Sequence, residues 1–325
     1  MRKLFTLLLV LGFICSAVAT TFAMTIKLGV VTKPGSAQNI VAEKFKELIA
    51  QKSNGEIKVK IFHSKSIGNE TEILQQIQMN TVQMGVITGG PFDTFDPIVR
   101  VINYPFLFKD YEQVDRILDG SLGAQILKSL EGSNLKGLCF SENGFRNLTN
   151  SRRPVKGSKD IKGLKIRVMA SALHKAIWQA LGANPTPMPW PIYTELEQRV
   201  IDGQENPLWV MEVYKFYEIQ KYMTLTRHVY SPHIDVASLI WWNKLDFKTK
   251  KMIQTAMYAA AVYQRQDNRS KNAQRLEFLK GKGFIIEENP DIADLRSKVD
   301  GLKDMDLYKK PKVQALLVKI MAATK

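Results

Sequence analysis

Apolar positions recur along the chain in two registers, one of period two and one of three to four. Ile26, Leu28 and Val30 alternate with Lys27 and Gly29, a short strand. Thr32-Lys33-Pro34-Gly35-Ser36 breaks it, and Ser36 suits an N-cap. Ala37, Ile40, Val41, Phe45, Leu48 and Ile49 then recur at helical spacing, with Glu43, Lys44, Lys46 and Glu47 between them. Ser53-Asn54-Gly55 ends that helix. Ile57 to Phe62 is the next strand. The loop Ser64 to Asn69 leads into a helix carrying Ile73, Leu74 and Ile77. Met84 to Ile87 reads as a buried strand closed by Thr88-Gly89-Gly90-Pro91. Strand and helix in alternation predict parallel strands with crossover helices, and ligands on the loops at the strands' carboxyl ends.

The alternation resumes with strands at Leu135 to Phe140 and Leu164 to Val168 and a helix over Leu173 to Leu181. Asn184 to Pro191 reads as a proline-stiffened connector and Tyr193 to Ile201 as a helix. Val236 to Trp242 reads as a central strand, and Asp246 to Gln264 as a long helix that could extend to Leu279. Gly281-Lys282-Gly283 stops it, and Phe284 to Ile286 makes a final strand. No repeat or long linker interrupts the pattern. It predicts two α/β lobes of comparable size, and the late helix could run across both.

Residues 1–23 stand outside this pattern. Arg2 and Lys3 precede an almost wholly apolar run from Leu4 to Cys15, followed by small residues. That is the anatomy of a cleaved signal peptide, with cut sites after Ala19 or Ala23. An uncleaved anchor is the alternative, but the run is short for a span of ~20 residues. Cys15 lacks the small residue expected before a lipidated cysteine. The 325-residue chain has a formal charge of +15, and the leader accounts for two of those charges. Such a surplus attracts anions. The mature chain keeps Cys139 alone, which excludes an internal disulfide and a thiolate metal cluster. Export without disulfides points to a bacterial periplasm.

The catalytic repertoire is poorly represented. His63, His174, His228 and His233 form no H-E-x-x-H, and Pro232 forbids a helix joining the last two. G-x-S-x-G, a P-loop and a dinucleotide fingerprint are missing. No basic helix interleaved with aromatics suggests nucleic acid. No catalytic residue, metal or cofactor is therefore assigned. Three segments stand out: Arg146 in Asn143-Gly144-Phe145-Arg146-Asn147-Leu148-Thr149-Asn150, Arg167 in Gly163-Leu164-Lys165-Ile166-Arg167-Val168, and Asn206 in Asp202-Gly203-Gln204-Glu205-Asn206-Pro207. A guanidinium in the polar register of a strand can meet a carboxylate through two parallel hydrogen bonds. Most strand arginines instead face solvent or form salt bridges.

With these segments the chain resembles the solute-binding proteins of tripartite ATP-independent periplasmic (TRAP) transporters, in the branch of C4-dicarboxylate and sialic-acid binders. Gly68-Asn69-Glu70, Gly182-Ala183-Asn184-Pro185-Thr186-Pro187-Met188 and Lys215-Phe216-Tyr217-Glu218-Ile219-Gln220-Lys221-Tyr222 match in order as well. The resemblance implies a two-lobed α/β periplasmic-binding-protein fold with hinge strands and a long helix spanning both lobes. Residues 24–143 with 232–272 would form lobe I, and 144–231 with 273–325 lobe II. It implies Arg167 as the principal carboxylate clamp, Arg146 as a second cationic contact and Asn206 as an amide partner. Trp190 would cover the ligand or pack as core. Glu70, Thr88 and Gly89 would supply ligand-specific contacts. Val31 stands where some sugar-acid binders of this kind have a polar amide and argues against a heavily hydroxylated ligand; Thr88 replaces an acidic residue of that subgroup, and Trp209 is bulkier than the small residue expected and would shrink the cleft.

The leading reading is thus a periplasmic protein that captures a small organic acid and delivers it to the membrane permease subunits of a TRAP transporter. An exported enzyme on a similar scaffold is one alternative, disfavoured by the missing machinery. A sensor subunit presenting an anion to a signalling receptor is another, and its cleft would look the same.

Overall fold

The computed structural model describes residues 24–325, so the leader reading falls outside the described residues. The described residues form eleven strands: β1 (Met24–Gly29), β2 (Ile57–Phe62), β3 (Met84–Thr88), β4 (Leu135–Phe145), β5 (Asn147–Asn150), β6 (Lys165–Val168), β7 (Asn184–Pro187), β8 (Gly203–Asn206), β9 (Tyr222–Thr224), β10 (Tyr230–Ser238) and β11 (Ile285–Glu287). They make two sheets, ordered β2-β1-β3-β10-β4 and β11-β9-β5-β8-β6-β7. β1 runs parallel to β2 and β3, as the strand–helix alternation predicts. β10 runs antiparallel to both β3 and β4, so the sheet is mixed. The chain passes between sheets where β4 ends and β5 begins, and again between β9 and β10, giving two lobes joined by strands.

The helix Ala37–Lys52 is capped by Ser36, whose hydroxyl accepts from Asn39 N–H. It buries Val41, Ala42, Phe45 and Ile49 against Ile26, Leu28, Val59 and Val86. The long helix covers Phe247–Ser270 and, after Lys271, continues as Asn272–Gly281. It bridges both halves. Arg265 reaches Asp115 at 3.0 Å and Asp119 at 2.9 Å, and Arg275 reaches Glu212 at 2.9 Å. Gln264 clamps the backbone of Glu142 in β4 from both sides, at 2.8 and 2.9 Å.

Three sequence expectations need correction, and the sequence leaves one stretch unread. The strand expected over Val236 to Trp242 is β10, displaced toward the N-terminus. Ser238 caps a helix, Leu239–Lys244, by accepting from Trp241 N–H, and this ends the strand. The polar residues Ser231, His233 and Asp235 hid the rest of a fully buried strand. The proline-rich connector contains β7, an edge strand parallel to β6. Proline is tolerated there because an edge strand leaves one row of donors unpaired. The helix at Tyr193 stops at Glu197, and Arg199 adopts φ +57°. Two helices beyond the last predicted strand, Ile292–Val299 and Pro311–Ala323, complete the chain.

We propose the lobe division given above with one amendment. Arg100 Nη1 donates to Leu307 O at 2.6 Å, and Gln113 Nε2 to Thr324 O at 2.6 Å. The tail from Asp306 onward therefore belongs with lobe I.

Candidate functional site

A narrow cavity with about 30 Å³ of free volume lies between the sheets. Thr32, Gln38, Glu70, Thr88, Asn143 and His233 line it from the first lobe. Arg146, Arg167, Met169, Trp190, Asn206 and Trp209 line it from the second, with Val31 and Val210 adding apolar surface.

The Gly68-Asn69-Glu70 motif has a local explanation. Gly68 adopts φ +114°, and a Cβ there would lie 2.5 Å from the Glu72 carboxylate. Asn69 and Glu72 form a reciprocal capping box. Glu70 is thereby set at the start of the helix Glu70–Gln78, on the cavity wall. Its Oε1 accepts from Thr88 N–H at 2.7 Å and from Gln38 Nε2 at 2.8 Å. Gln38 accepts from the Thr32 hydroxyl at 2.9 Å. Gln38 is a wall residue that sequence reasoning missed, because it reads as an ordinary polar helix position.

Pairing of β6, β8 and β5 brings together the three segments singled out in the sequence. Arg167 pairs with Gln204, and Asn206 with Asn147. Arg167 is 4% exposed, not solvent-facing as most strand arginines are. Its Nε and Nη2 both donate to Met188 O, at 3.0 and 2.5 Å. Among the described residues no carboxylate lies within salt-bridge distance of it. One carbonyl thus orients the guanidinium, and among the described residues its Nη1/Nη2 edge has no acceptor. Burial, and next the Arg146 charge, lower its pKa to about 10, so it stays protonated at neutral pH. The Asn206 amide donates to Gln204 Oε1 at 2.6 Å.

Arg146 is not at the cleft mouth. It is completely buried and forks onto Glu205 of β8, with Nη2 2.9 Å from Oε1 and Nε paired to Oε2. His228 Nε2 lies 3.1 Å from the same carboxylate. Burial opposes ionisation of Glu205, but the Arg146 charge and the His228 hydrogen bond win and hold its pKa well below the carboxylate range. Arg146 Nη1 is left buried without a partner. Glu205 lay inside a quoted motif, but an acid between Gln204 and Asn206 gives no sign of its burial.

Trp190 both lines the cavity and packs. Its ring meets Tyr214 edge-on at 4.6 Å and sits 5.7 Å from the Arg167 guanidinium. Trp209 is fixed by its indole N–H, 2.9 Å from Asn143 O, and narrows the cavity. Gly89 is not brought to the cavity. Its N–H donates to Pro232 O at 3.0 Å, and a Cβ there would meet Asn103 at 3.1 Å. His233, set aside in the sequence for want of a metal partner, lies on the wall. Among the described residues no three His, Cys, Asp or Glu side chains are grouped to hold a metal ion.

An interlobe cavity lined by two buried arginines accords with what comparison with known proteins finds. The family described as bacterial extracellular solute-binding protein, family 7, matches residues 28–309. The chain belongs to that family. The 2,3-diketo-L-gulonate-binding periplasmic protein YiaO of Escherichia coli is 35% identical over 267 residues, covering 82% of this chain and 81% of that protein. A TRAP periplasmic solute-binding protein from Polaromonas, solved with D-erythronate, superposes with a TM-score of 0.88 at 33% identity, covering 92% of this chain and 98% of that one. The sugar-acid-binding protein of Advenella mimigardefordensis, solved with galactonate, gives a TM-score of 0.86 at 32% identity, again covering 92% and 98%. The family 7 protein described here is thus a two-lobed solute-binding protein. No described helix is long and apolar enough to cross a membrane.

Proposed function

We propose that this family 7 protein captures a small organic acid between its lobes in the periplasm and delivers it to the membrane subunits of a TRAP-type secondary transporter. The observation that carries the reading is the free edge of Arg167, a buried cation held by a backbone carbonyl and paired to no carboxylate. An arginine left this way is completed by a ligand carboxylate, which it meets with two parallel donors. Arg146 Nη1 and the Asn206 oxygen complete the polar contacts on that side. Trp190 covers the ligand from its packed position. The polar wall of Thr32, Gln38 and Glu70 favours an oxygenated acid over a purely aliphatic one, more than Val31 and Trp209 suggest from the sequence. The acids named for the two solved relatives and the Escherichia coli protein are of that kind. Glu70 faces the ligand as an acceptor and disfavours a second carboxylate. The protein binds and releases its ligand unchanged and needs no metal or cofactor to do so. Residues 1–23 direct export and are removed.

Thermal-shift screening against a panel of C3 to C6 organic acids tests the proposal. A ligand that binds only the native state at a hundred times its Kd stabilises by about 2.7 kcal/mol. At least one oxygenated monocarboxylate is expected to raise the melting temperature, with or without prior chelator treatment, and to be recovered intact. No stabilisation by any acid, or conversion of the acid, would contradict it.

A further inference from the structure

Away from the cleft, lysines from three helices gather at one end of the first lobe. Lys52 closes the helix Ala37–Lys52, Lys244 closes Leu239–Lys244, and Lys248, Lys250 and Lys251 stand at the start of the long helix Phe247–Ser270. Lys52, Lys248 and Lys251 line one open groove with Phe247, Met252 and Thr255. Among the described residues no carboxylate lies within salt-bridge distance of any of these lysines. The long helix has no acid in its first turn, although a helix N-terminus is the positive end of the peptide dipole and favours acids there. Its N-cap, Asp246, is spent locally, accepting from Thr249 N–H at 2.9 Å and from the Thr249 hydroxyl at 2.6 Å. Charges of one sign so gathered repel one another and favour an anionic partner.

Phe247 stands among these lysines and is 81% exposed, more than any other large apolar side chain among the described residues. Met252 beside it packs on the core. The groove lies far from the cavity. β1 and β2 start together at Met24 and Ile57, and the chain reaches Ile57 directly from the end of the Lys52 helix. The groove is thus at the amino ends of these strands. Val31, Thr32 and Thr88 of the cavity wall lie at the carboxyl ends of β1 and β3. A surface that covers the groove leaves the cleft free.

We propose that this patch binds the anionic phospholipid surface of the membrane, with the lysines at lipid phosphates and Phe247 in the boundary between headgroups and acyl chains. A cluster of lysines around an apolar anchor has the chemistry of such a surface. All five cations are lysines, point charges that suit phosphates, whereas arginine forks suit the carboxylates of an acidic protein. One apolar side chain with a few charges gives weak, reversible attachment. Such attachment would keep the protein beside the membrane that holds its transporter without removing it from the periplasm. The inference goes beyond the carboxylate reading of the cleft and does not depend on it.

Sedimentation of the mature protein with lipid vesicles tests it. Vesicles of phosphatidylcholine with about 30% phosphatidylglycerol are expected to bind at least about tenfold more tightly than phosphatidylcholine alone, and about 0.5 M salt should abolish the difference. Lys248→Glu with Lys251→Glu should weaken binding to the anionic vesicles by at least about tenfold, with no loss of melting temperature, because acids suit that first turn. Phe247→Ser should weaken it by about threefold or more and leave the salt dependence in place. Lys312→Glu with Lys319→Glu, an exposed pair on the last helix, changes the net charge equally and should have little effect. Equal binding to both kinds of vesicle, or to neither, overturns the proposal. So does an equal loss in the Lys312/Lys319 variant, which would assign the binding to the overall charge. Patch variants that fail to support uptake, when the wild-type protein ignores both kinds of vesicle, would assign the patch to a protein partner and overturn it as well.

Discussion

Arg146 and Arg167 are both enclosed, yet their guanidinium groups are committed differently. Arg167 spends one edge on a neutral carbonyl, whereas Arg146 neutralises a buried acid. Their variants should separate accordingly. Arg167→Ala is expected to weaken acid binding by about 2–5 kcal/mol, the range for truncating one partner of a buried charge pair. Arg167→Lys should also weaken it, because an ammonium cannot reproduce the fork. Without ligand, Arg167→Ala should lose only about 1 kcal/mol, for the stranded Met188 carbonyl. Urea melts and calorimetry on the same samples check this, and near-wild-type affinity in both variants would remove Arg167 from the site. Arg146→Ala should behave oppositely in the absence of ligand. It leaves Glu205 buried without its counter-charge and should cost about 3–5 kcal/mol of stability. Arg146→Ala with Glu205→Gln should recover part of that loss. An Arg146→Ala protein as stable as wild type would contradict the buried-pair account.

At the scale of elements, β10 carries a chemical consequence of its burial. Asp235 lies in the sheet with its carboxylate 2.9 Å from the Ser141 hydroxyl and 3.2 Å from the Cys139 thiol. Burial raises its pKa to about 7 despite those hydrogen bonds. In the unfolded chain the value is about 3.9, so between pH ~4 and ~7 the folded state holds a proton that the unfolded state has lost. This group's contribution is therefore full below pH ~4 and declines as pH rises toward 7. Asp235→Asn removes the decline and should be more stable than wild type at pH 8, by up to about 4 kcal/mol, with much less difference at pH 4. The buried His174, lowered to about 4 chiefly by burial, acts in the opposite sense between pH ~4 and ~6.5, so the comparison is made variant against wild type at each pH. An equal difference at pH 4 and pH 8 would contradict the assignment. The same strand marks where sequence reading stops. β1, β2 and β3 and the helix at Ala37 were legible because one face of each alternates or recurs cleanly. β10 was misplaced because a strand buried on both sides can carry Ser231, His233 and Asp235 once neighbouring strands satisfy or neutralise them. Arg146, Arg167 and Asn206 were legible as motifs. Their differing commitments were not, since Glu205 and the Met188 carbonyl reach them only through pairing of β5, β8 and β6. Gly203 shows the same limit: a Cβ there would lie 2.1 Å from Thr149 O, so the β5–β8 pairing requires it, and nothing local in the sequence says so.

On the scale of the whole molecule, capture of a ligand between the lobes predicts that contacts joining them slow its release. Lys33 N–H, in the loop after β1, donates to the Tyr214 hydroxyl at 3.2 Å, and the Lys33 ammonium lies 4.8 Å from that ring's centre. Tyr214 in turn packs edge-on against Trp190 of the cavity wall. Tyr214→Phe removes the hydroxyl but keeps the ring, and should speed ligand release by about threefold to tenfold, one neutral hydrogen bond's worth, with association little changed. Stopped-flow dissociation measures it, and an unchanged release rate would show that the bridge does not hold the closed state. The net positive charge of the chain favours arrival of anions in general, so it cannot by itself show what the cleft holds. The most direct measurement is calorimetric titration of the unaltered protein with the tightest-binding acid from the panel and with that acid's primary amide, which matches it in shape but carries no charge. Binding by the acid and loss of at least about a hundredfold for the amide is the expected result. Equal affinity for acid and amide would contradict carboxylate capture by Arg167.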